Sequence, residues 1–140
     1  MAKSQTLSQG DFIPELRTLH EQLLEMVDEL EAVCGRPAPE EAALAGLRYR
    51  LTRTSSARRK LIETLCAELQ MTLPADEIAP IRALRESNVV AMTSSSDHIG
   101  TWSLREIMKD WAGYCHASQQ IRRSMRDQVE LEKSTLYPYL

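Results

Sequence analysis

The side chains best suited to chemistry in this chain are polar residues on otherwise apolar helix faces. In the C-terminal stretch, residues 103–140, the inward positions recur at steps of three and four, and this face ends in Gln128 and Glu132. Near the N-terminus, an unbroken heptad pattern of apolar residues carries His20 in its middle. Imidazole nitrogens and carboxylate oxygens are common ligands of iron and zinc. The pattern therefore indicates a polar layer inside the core, and metal binding is one chemistry it could support.

Four amphipathic helices must position these side chains. The spacing of apolar residues, together with proline and glycine at the ends of the segments, predicts helices at about 11–34, 39–70, 77–96 and 103–136, the last one continuous. Residues 1–10 are polar and predict a flexible tail, so the domain is expected to span residues 11–140. No strand alternation flanked by hairpin turns occurs. Short loops favour antiparallel neighbours, which predicts an all-α fold, an antiparallel up-down-up-down four-helix bundle.

In such a bundle the polar residues of the four inward faces fall near one level. His20 lies eight residues after Phe12, and Gln128 lies eight residues before Leu136. The start of the first helix and the end of the fourth share one end of an up-down bundle, so we expect these two side chains near one level, each pointing inward. The expected polar core layer consists of His20, Arg58, Asn88, Gln128 and Glu132. Because buried charge is costly without a partner, we expect a buried Arg58–Glu132 pair bridged by Gln128 and His20.

Composition and charge limit the classes of function. The chain has 140 residues and a net charge of −3, which gives no general case for a nucleic-acid or anionic-membrane partner. No apolar run approaches the roughly 20 residues of a membrane span, and the N-terminus lacks the apolar core of a signal peptide. A cytoplasmic location is therefore expected. Cys34, Cys66 and Cys115 are scattered and in no CxxC pair, which is typical of reduced thiols; redox and metal roles are the alternatives.

The second helix carries a run of basic residues between residues 48 and 60 that contains no acid. The six members are Arg48, Arg50, Arg53, Arg58, Arg59 and Lys60. The simplest interpretation is a solvated face that complements the acidic outer face of the first helix, while an anion or phospho-partner site is the alternative. Tyr49 is the only aromatic residue in this run and the run has no glycine, so it lacks the interleaving that a nucleic-acid surface would need.

The end of the last helix resembles the fourth helix of hemerythrin-like domains. In that family a histidine is followed four residues later by a glutamate, and then by Leu-Tyr-Pro or Leu-Phe-Pro, which closes the helix. Glu132 matches the acid and Leu136-Tyr137-Pro138 matches the closing motif, but Gln128 stands at the histidine position. Residues 16–24 around His20 resemble the first helix of the family, which carries one histidine ligand. The resemblance implies a hemerythrin-like bundle in which His20 and Glu132 are the residual metal candidates.

The chain departs from this family at the other ligand positions. Matching the second helix to the closing motif places Ala57 and Leu61 at the family's histidine and glutamate, and the third helix has Ser87 and Asn88 where a histidine is expected. The di-iron centre of the family needs several histidines and two bridging carboxylates, whereas the whole chain has three histidines. The resemblance therefore implies that the di-iron site is lost and that no cofactor is bound.

Three functions are compatible with this reading. The first is a non-enzymatic regulatory or protein-interaction module, with a protein partner that the sequence does not identify. The second is a sensor of oxygen, nitric oxide or redox state that holds a single iron or zinc ion, or a small ligand, at His20 and Glu132. The third is a ligand-binding bundle whose cavity is lined by Ala57, Leu61 and Ser87. A homodimer is compatible with each. No nucleophile triad, phosphate-binding loop or zinc-finger spacing favours an enzyme.

Overall fold

The computed structural model describes the backbone of residues 2–140 and the side chains of residues 14–140. The described chain is all-helical and contains no strand. Five α-helices follow one another: α1 (Ala2–Cys34), α2 (Glu41–Thr72), α3 (Ile78–Thr101), α4 (Leu104–Lys109) and α5 (Trp111–Leu136). Single 3₁₀ turns at Ala75–Glu77 and Tyr137–Tyr139 precede α3 and follow α5. Within this part of the chain, no helix is long and apolar enough to cross a membrane.

The long helices pack in neighbouring pairs. Helix α1 packs against α2 and α5, and α3 packs against the same two helices from the other side. The periodicity of the apolar residues explains this arrangement, because residues three and four apart lie on one face of a helix. Leu16, Leu23, Val27 and Leu30 on α1 are all buried, as expected from the heptad pattern.

The buried apolar residues form two clusters with polar side chains between them. The first cluster contains Leu23 of α1, Leu51 of α2 and Val129 of α5. The second cluster contains Leu16, Leu61 and Leu136 of the same three helices. On α1 and α5 one buried polar residue lies between a member of the first cluster and a member of the second, namely His20 and Glu132, and on α2 two do, Ser55 and Arg58. The two halves of the core are therefore joined through a polar layer.

The prediction of one continuous helix over residues 103–136 is wrong, because the helix breaks at Asp110. The backbone of Asp110 leaves the helical region (φ −142°, ψ 74°), and its carboxylate accepts a hydrogen bond from the Gly113 amide at 3.0 Å. Aspartate favours such N-cap positions because its side chain satisfies a free backbone amide. Ser103 caps α4 in the same way, accepting from the Glu106 amide at 3.2 Å.

Two other helix boundaries also differ from prediction. Helix α3 continues to Thr101 rather than ending near Ser96, since no proline interrupts residues 81–99. Helix α1 begins at Ala2, whereas the sequence predicts a start at Asp11. Residues 2–9 contain neither glycine nor proline, so no residue there stops the helix from extending. Met1 and the side chains of residues 2–13 lie outside the described part of the structure, and the flexible tail remains a prediction.

Candidate functional site

The carboxylate of Glu132 lies at the centre of the polar layer. Glu132 on α5 and His20 on α1 are both 0% exposed, and Arg58 on α2 is 4% exposed. His20 Nε2 lies 2.9 Å from Glu132 Oε1, and the Arg58 guanidinium donates to Glu132 Oε2. Gln128 Nε2, one turn earlier on α5, donates to the same Oε2 at 3.2 Å. The buried negative charge therefore has one cationic partner and two further donors.

The hydrogen-bonded chain extends beyond Glu132 in both directions. His20 Nδ1 lies 2.7 Å from the hydroxyl of Tyr137, which belongs to the turn that closes α5. With a proton on Nε2, His20 donates to the carboxylate, and Nδ1 then accepts from the Tyr137 hydroxyl. On the other side, Gln128 Nε2 donates to Ser87 Oγ of α3 at 3.1 Å. The layer thus ties α1, α2, α3 and α5 together.

Two opposing effects set the pKa of Glu132. Burial raises the pKa of this carboxyl, but the hydrogen bond from His20 and the positive charge of Arg58 lower it. The net pKa is below the ordinary value of a glutamate, so the carboxyl is ionised at neutral pH. Burial also raises the pKa of Tyr137, although Arg17 opposes this from 4.5 Å above the ring. Tyr137 therefore remains a hydroxyl that can donate.

The structure brings together four of the five residues predicted for the layer. His20, Arg58, Gln128 and Glu132 form one hydrogen-bonded group, in which Gln128 is half-buried. Asn88 is buried on α3, but its side-chain oxygen has no hydrogen-bond partner in the described part of the chain.

Sequence reasoning did not assign roles to Tyr137 and Ser87 in this layer. Tyr137 did carry a signal, because it stands in the Leu136-Tyr137-Pro138 motif at the end of the helix that bears Glu132.

These residues do not fit a di-iron centre. His20 and Glu132 are the only candidate ligands of the layer, and each oxygen of Glu132 is already engaged. Within residues 14–140, no three His, Cys, Asp or Glu side chains converge as metal ligands do. The assignment of Ala57 to an inward ligand position is wrong: Ala57 is exposed, whereas its neighbour Arg58 is buried. Adjacent helix residues differ by about 100° in direction, so an offset of one position moves a side chain from core to solvent.

The basic run of α2 is not one solvated face. Arg50 pairs with Glu29 of α1 at 3.2 Å, as the complementary-face interpretation predicts. Arg58, in contrast, points into the core, and the acidic residues Asp28 and Glu31 of α1 pair instead with Arg126 of α5. The six bases divide among different environments because the run covers more than three helical turns. The prediction of a single face that complements α1 is therefore wrong.

A cavity of about 120 Å³ adjoins the polar layer between α2 and α3. Its apolar wall includes Leu30, Leu51, Tyr114, Ile121 and Met125. Arg48, Arg59 and His98 also line it. This cavity is not the one that the sequence predicts, because Ala57, Leu61 and Ser87 do not line it: Leu61 is packed in the core and Ser87 is bonded to Gln128.

Comparisons with protein-family models, with curated proteins and with solved structures found no match to this chain. What the fold and the site define is an all-helical protein with a buried ion pair at the centre of its core and an apolar cavity beside it.

Proposed function

We propose that the chain is a hemerythrin-like domain that has lost its di-iron site and acts without catalysis, as a regulatory or protein-interaction module. Its long helices would form an antiparallel up-down-up-down four-helix bundle, with α4 and α5 together as the fourth helix. The pairwise packing of α1, α2, α3 and α5 supports this arrangement. The short connections between the helices also support it, since short loops favour antiparallel neighbours.

The observation that carries the proposal is the ion pair between Glu132 and Arg58. Glu132 stands where the resemblance places a metal-binding glutamate, and Arg58 supplies the positive charge that a metal ion would otherwise provide. A metal ion at Glu132 would have to displace a guanidinium that is itself buried. An unpaired buried charge costs several kcal/mol, roughly 3–5 when one partner of a buried pair is removed. The pair therefore opposes metal binding.

The burial of the layer supports a non-enzymatic role. His20 and Glu132, the groups best suited to acid–base chemistry, are 0% exposed and bonded to each other. A substrate could reach them only if the helices separated. The polar layer has a structural role instead: buried polar groups whose hydrogen bonds are all satisfied can hold the helices in one arrangement. The action of the module would then lie at its surface or in the cavity.

A second candidate is a sensor that holds one iron or zinc ion, or a small ligand, at His20 and Glu132. The 2.9 Å separation of His20 Nε2 and Glu132 Oε1 favours it, because two ligand atoms are already side by side. This arrangement requires Arg58 to leave the carboxylate. Structural zinc sites take four protein ligands and catalytic sites three, so two ligands alone form a weak site.

Thermal unfolding with and without metal separates the two candidates. We expect Zn²⁺ and anaerobic Fe²⁺ to leave the Tm of the wild-type protein unchanged, because Arg58 occupies the carboxylate. Glu132→Ala tests the site, and Glu130→Ala is the matched control, since Glu130 is exposed on the same helix. A metal-dependent rise in Tm that Glu130→Ala retains and Glu132→Ala loses would establish the sensor and overturn the main proposal.

The partner in this proposal is a protein, either a second copy of the chain or a different one. Val89, Val90 and Met92 support a contact through α3, because these apolar side chains are exposed. The division of the basic run and the net charge of −3 favour a cytoplasmic module without a nucleic-acid or membrane partner. Sedimentation velocity at several protein concentrations tests the homodimer. Association that Val90→Lys abolishes would identify the second copy, and its absence would leave a different protein as the partner.

A further inference from the structure

The cavity between α2 and α3 combines an apolar wall with two arginines that no lining carboxylate pairs with. Arg48 and Arg59 line it, and none of its lining residues is an aspartate or glutamate. Its apolar lining comes from α1, α2, α3 and α5, including Leu30, Leu51, Ile99 and Met125. A purely structural gap between helices is expected to be apolar, since each buried polar group needs a partner. The two guanidinium groups therefore set this cavity apart from a packing defect.

Neither arginine has a carboxylate partner in the described part of the chain. Arg59 donates to the hydroxyl of Ser55 at 2.9 Å, and Arg48 lies over the ring of Tyr114 at 6.0 Å. Burial and the neighbouring charge of Arg58 lower the pKa of Arg59, and the negative charge of Glu132 opposes them in part. Arg59 remains a cation at neutral pH. The positive charge of Arg59 is thus partly desolvated and repelled by Arg58, and a bound anion would offset both costs by pairing with the guanidinium.

We propose that this cavity binds a small amphipathic anion, consisting of one carboxylate on a single ring or a short aliphatic chain. The carboxylate would meet Arg48 and Arg59, and the apolar part would lie against Leu51, Ile121 and Met125. Guanidinium groups suit this task because their planar donors match a carboxylate. The cavity volume of about 120 Å³ is close to that of the roughly 150 Å³ engineered cavity that holds benzene. A larger ligand would extend along the open side of the cavity.

The cavity also communicates with the polar layer through Ser55. The hydroxyl of Ser55 accepts from Arg59 at 2.9 Å and lies 3.5 Å from an Nη atom of Arg58, the partner of Glu132. If a bound anion draws Arg59 away from Ser55, the Ser55 hydroxyl keeps only the hydrogen bond from Arg58. This ligand site does not depend on the loss of the metal, so it goes beyond the function proposed above. Its failure would leave the ion pair and the metal question untouched.

Calorimetric titration tests the proposal with two probes, phenylacetate and octanoate. Phenylacetamide serves as the neutral counterpart of phenylacetate. Tyr114 lies 5.8 Å from the rings of both Trp102 and Trp111, so tryptophan fluorescence gives a second signal from the cavity wall. We expect saturable binding of at least one anion and about tenfold weaker binding of the amide, because a charged group strengthens a hydrogen bond.

Matched variants locate the site. Arg48→Met and Arg59→Met each remove one cation and should weaken anion binding about tenfold. Arg82→Met is the control, because Arg82 is exposed elsewhere on α3 and does not line the cavity. Ser95→Met fills the cavity and should abolish binding while the helical circular dichroism is kept.

Three results would overturn the proposal: no saturable binding of any probe, equal binding of the acid and the amide, or equal losses in Arg82→Met and the cavity variants.

Discussion

Replacing Arg58 by methionine should destabilise the protein strongly at neutral pH. The change removes the cation and keeps most of the aliphatic stem, so the packing around residue 58 is largely preserved. Glu132, which is 0% exposed, then keeps only the donors of His20 and Gln128 for a full negative charge. The predicted loss is therefore electrostatic rather than a loss of packing.

The magnitude follows from the burial of both partners. Removing one partner of a buried ion pair costs roughly 3–5 kcal/mol. The two remaining donors to Glu132 favour the lower end, about 3 kcal/mol, out of a typical total of about 5–15 kcal/mol. At about 3 °C per kcal/mol for a chain of this size, the Tm should fall by about 10 °C.

Urea unfolding followed by circular dichroism measures the effect. Arg82→Met is the matched control, because it removes an arginine from an exposed site, where substitutions usually cost less than about 0.5 kcal/mol. The double variant Arg58→Met/Glu132→Gln should recover part of the loss, because it leaves no unpaired charge. If Arg58→Met were as stable as Arg82→Met, the ion pair would not exist in solution and the reasoning would fail.

The stability difference between the wild-type protein and Arg58→Met should depend on pH in a defined direction. In the wild-type protein the pKa of Glu132 is lowered, so its stabilisation is present above the ordinary pKa of glutamate and is lost as the pH falls through the lower folded value. In Arg58→Met, burial would raise the pKa of Glu132, while His20 and Gln128 still donate to it. The variant can then protonate Glu132 in mild acid, so the difference in stability should be largest at neutral pH and shrink as the pH falls.

Three further predictions concern other parts of the fold. Tyr137→Phe leaves His20 Nδ1 without its hydroxyl partner and should cost about 1 kcal/mol in urea unfolding. Gly113→Ala places a methyl group against the capping carboxylate of Asp110, so it should lower stability by about 1 kcal/mol despite the better helix propensity of alanine, and the loss should not add to that of Asp110→Ala. Burial raises the pKa of the Cys66 thiol to about 12, so iodoacetamide should modify it in mass spectrometry at pH 8 only after unfolding.

Helix periodicity predicted the charged residues and the histidine of the polar layer, but it did not predict that Ser55 and Arg122 are also buried. His20, Arg58 and Glu132 each interrupt an apolar pattern at steps of three and four, and all three are buried. The rule works because the direction of a side chain on a helix depends only on its position along that helix. The bond between Arg58 and Glu132 follows once both are buried, since an unpaired charge in a core is costly.

Features that depend on distances between helices could not be predicted in this way. The cavity exists because α2 and α3 leave space beside Leu51 and His98, and no pattern within one helix reports that separation. Asp110 can stand inside a helix or cap the start of one, and the packing of the helices decides which of the two positions it takes. Asn88 reached the core as predicted, yet a hydrogen bond requires a partner at the correct distance and angle, and none of the described side chains provides one.

The metal content of the purified protein tests the central claim most directly. The protein is produced in medium supplied with iron and zinc, purified without chelator and measured by elemental analysis, with Glu132→Ala and Glu130→Ala beside the wild type. Because Arg58 holds the carboxylate of Glu132, we predict far less than stoichiometric iron or zinc in all three proteins. Stoichiometric metal in the wild type and in Glu130→Ala, but not in Glu132→Ala, would contradict the account and make His20 and Glu132 working ligands.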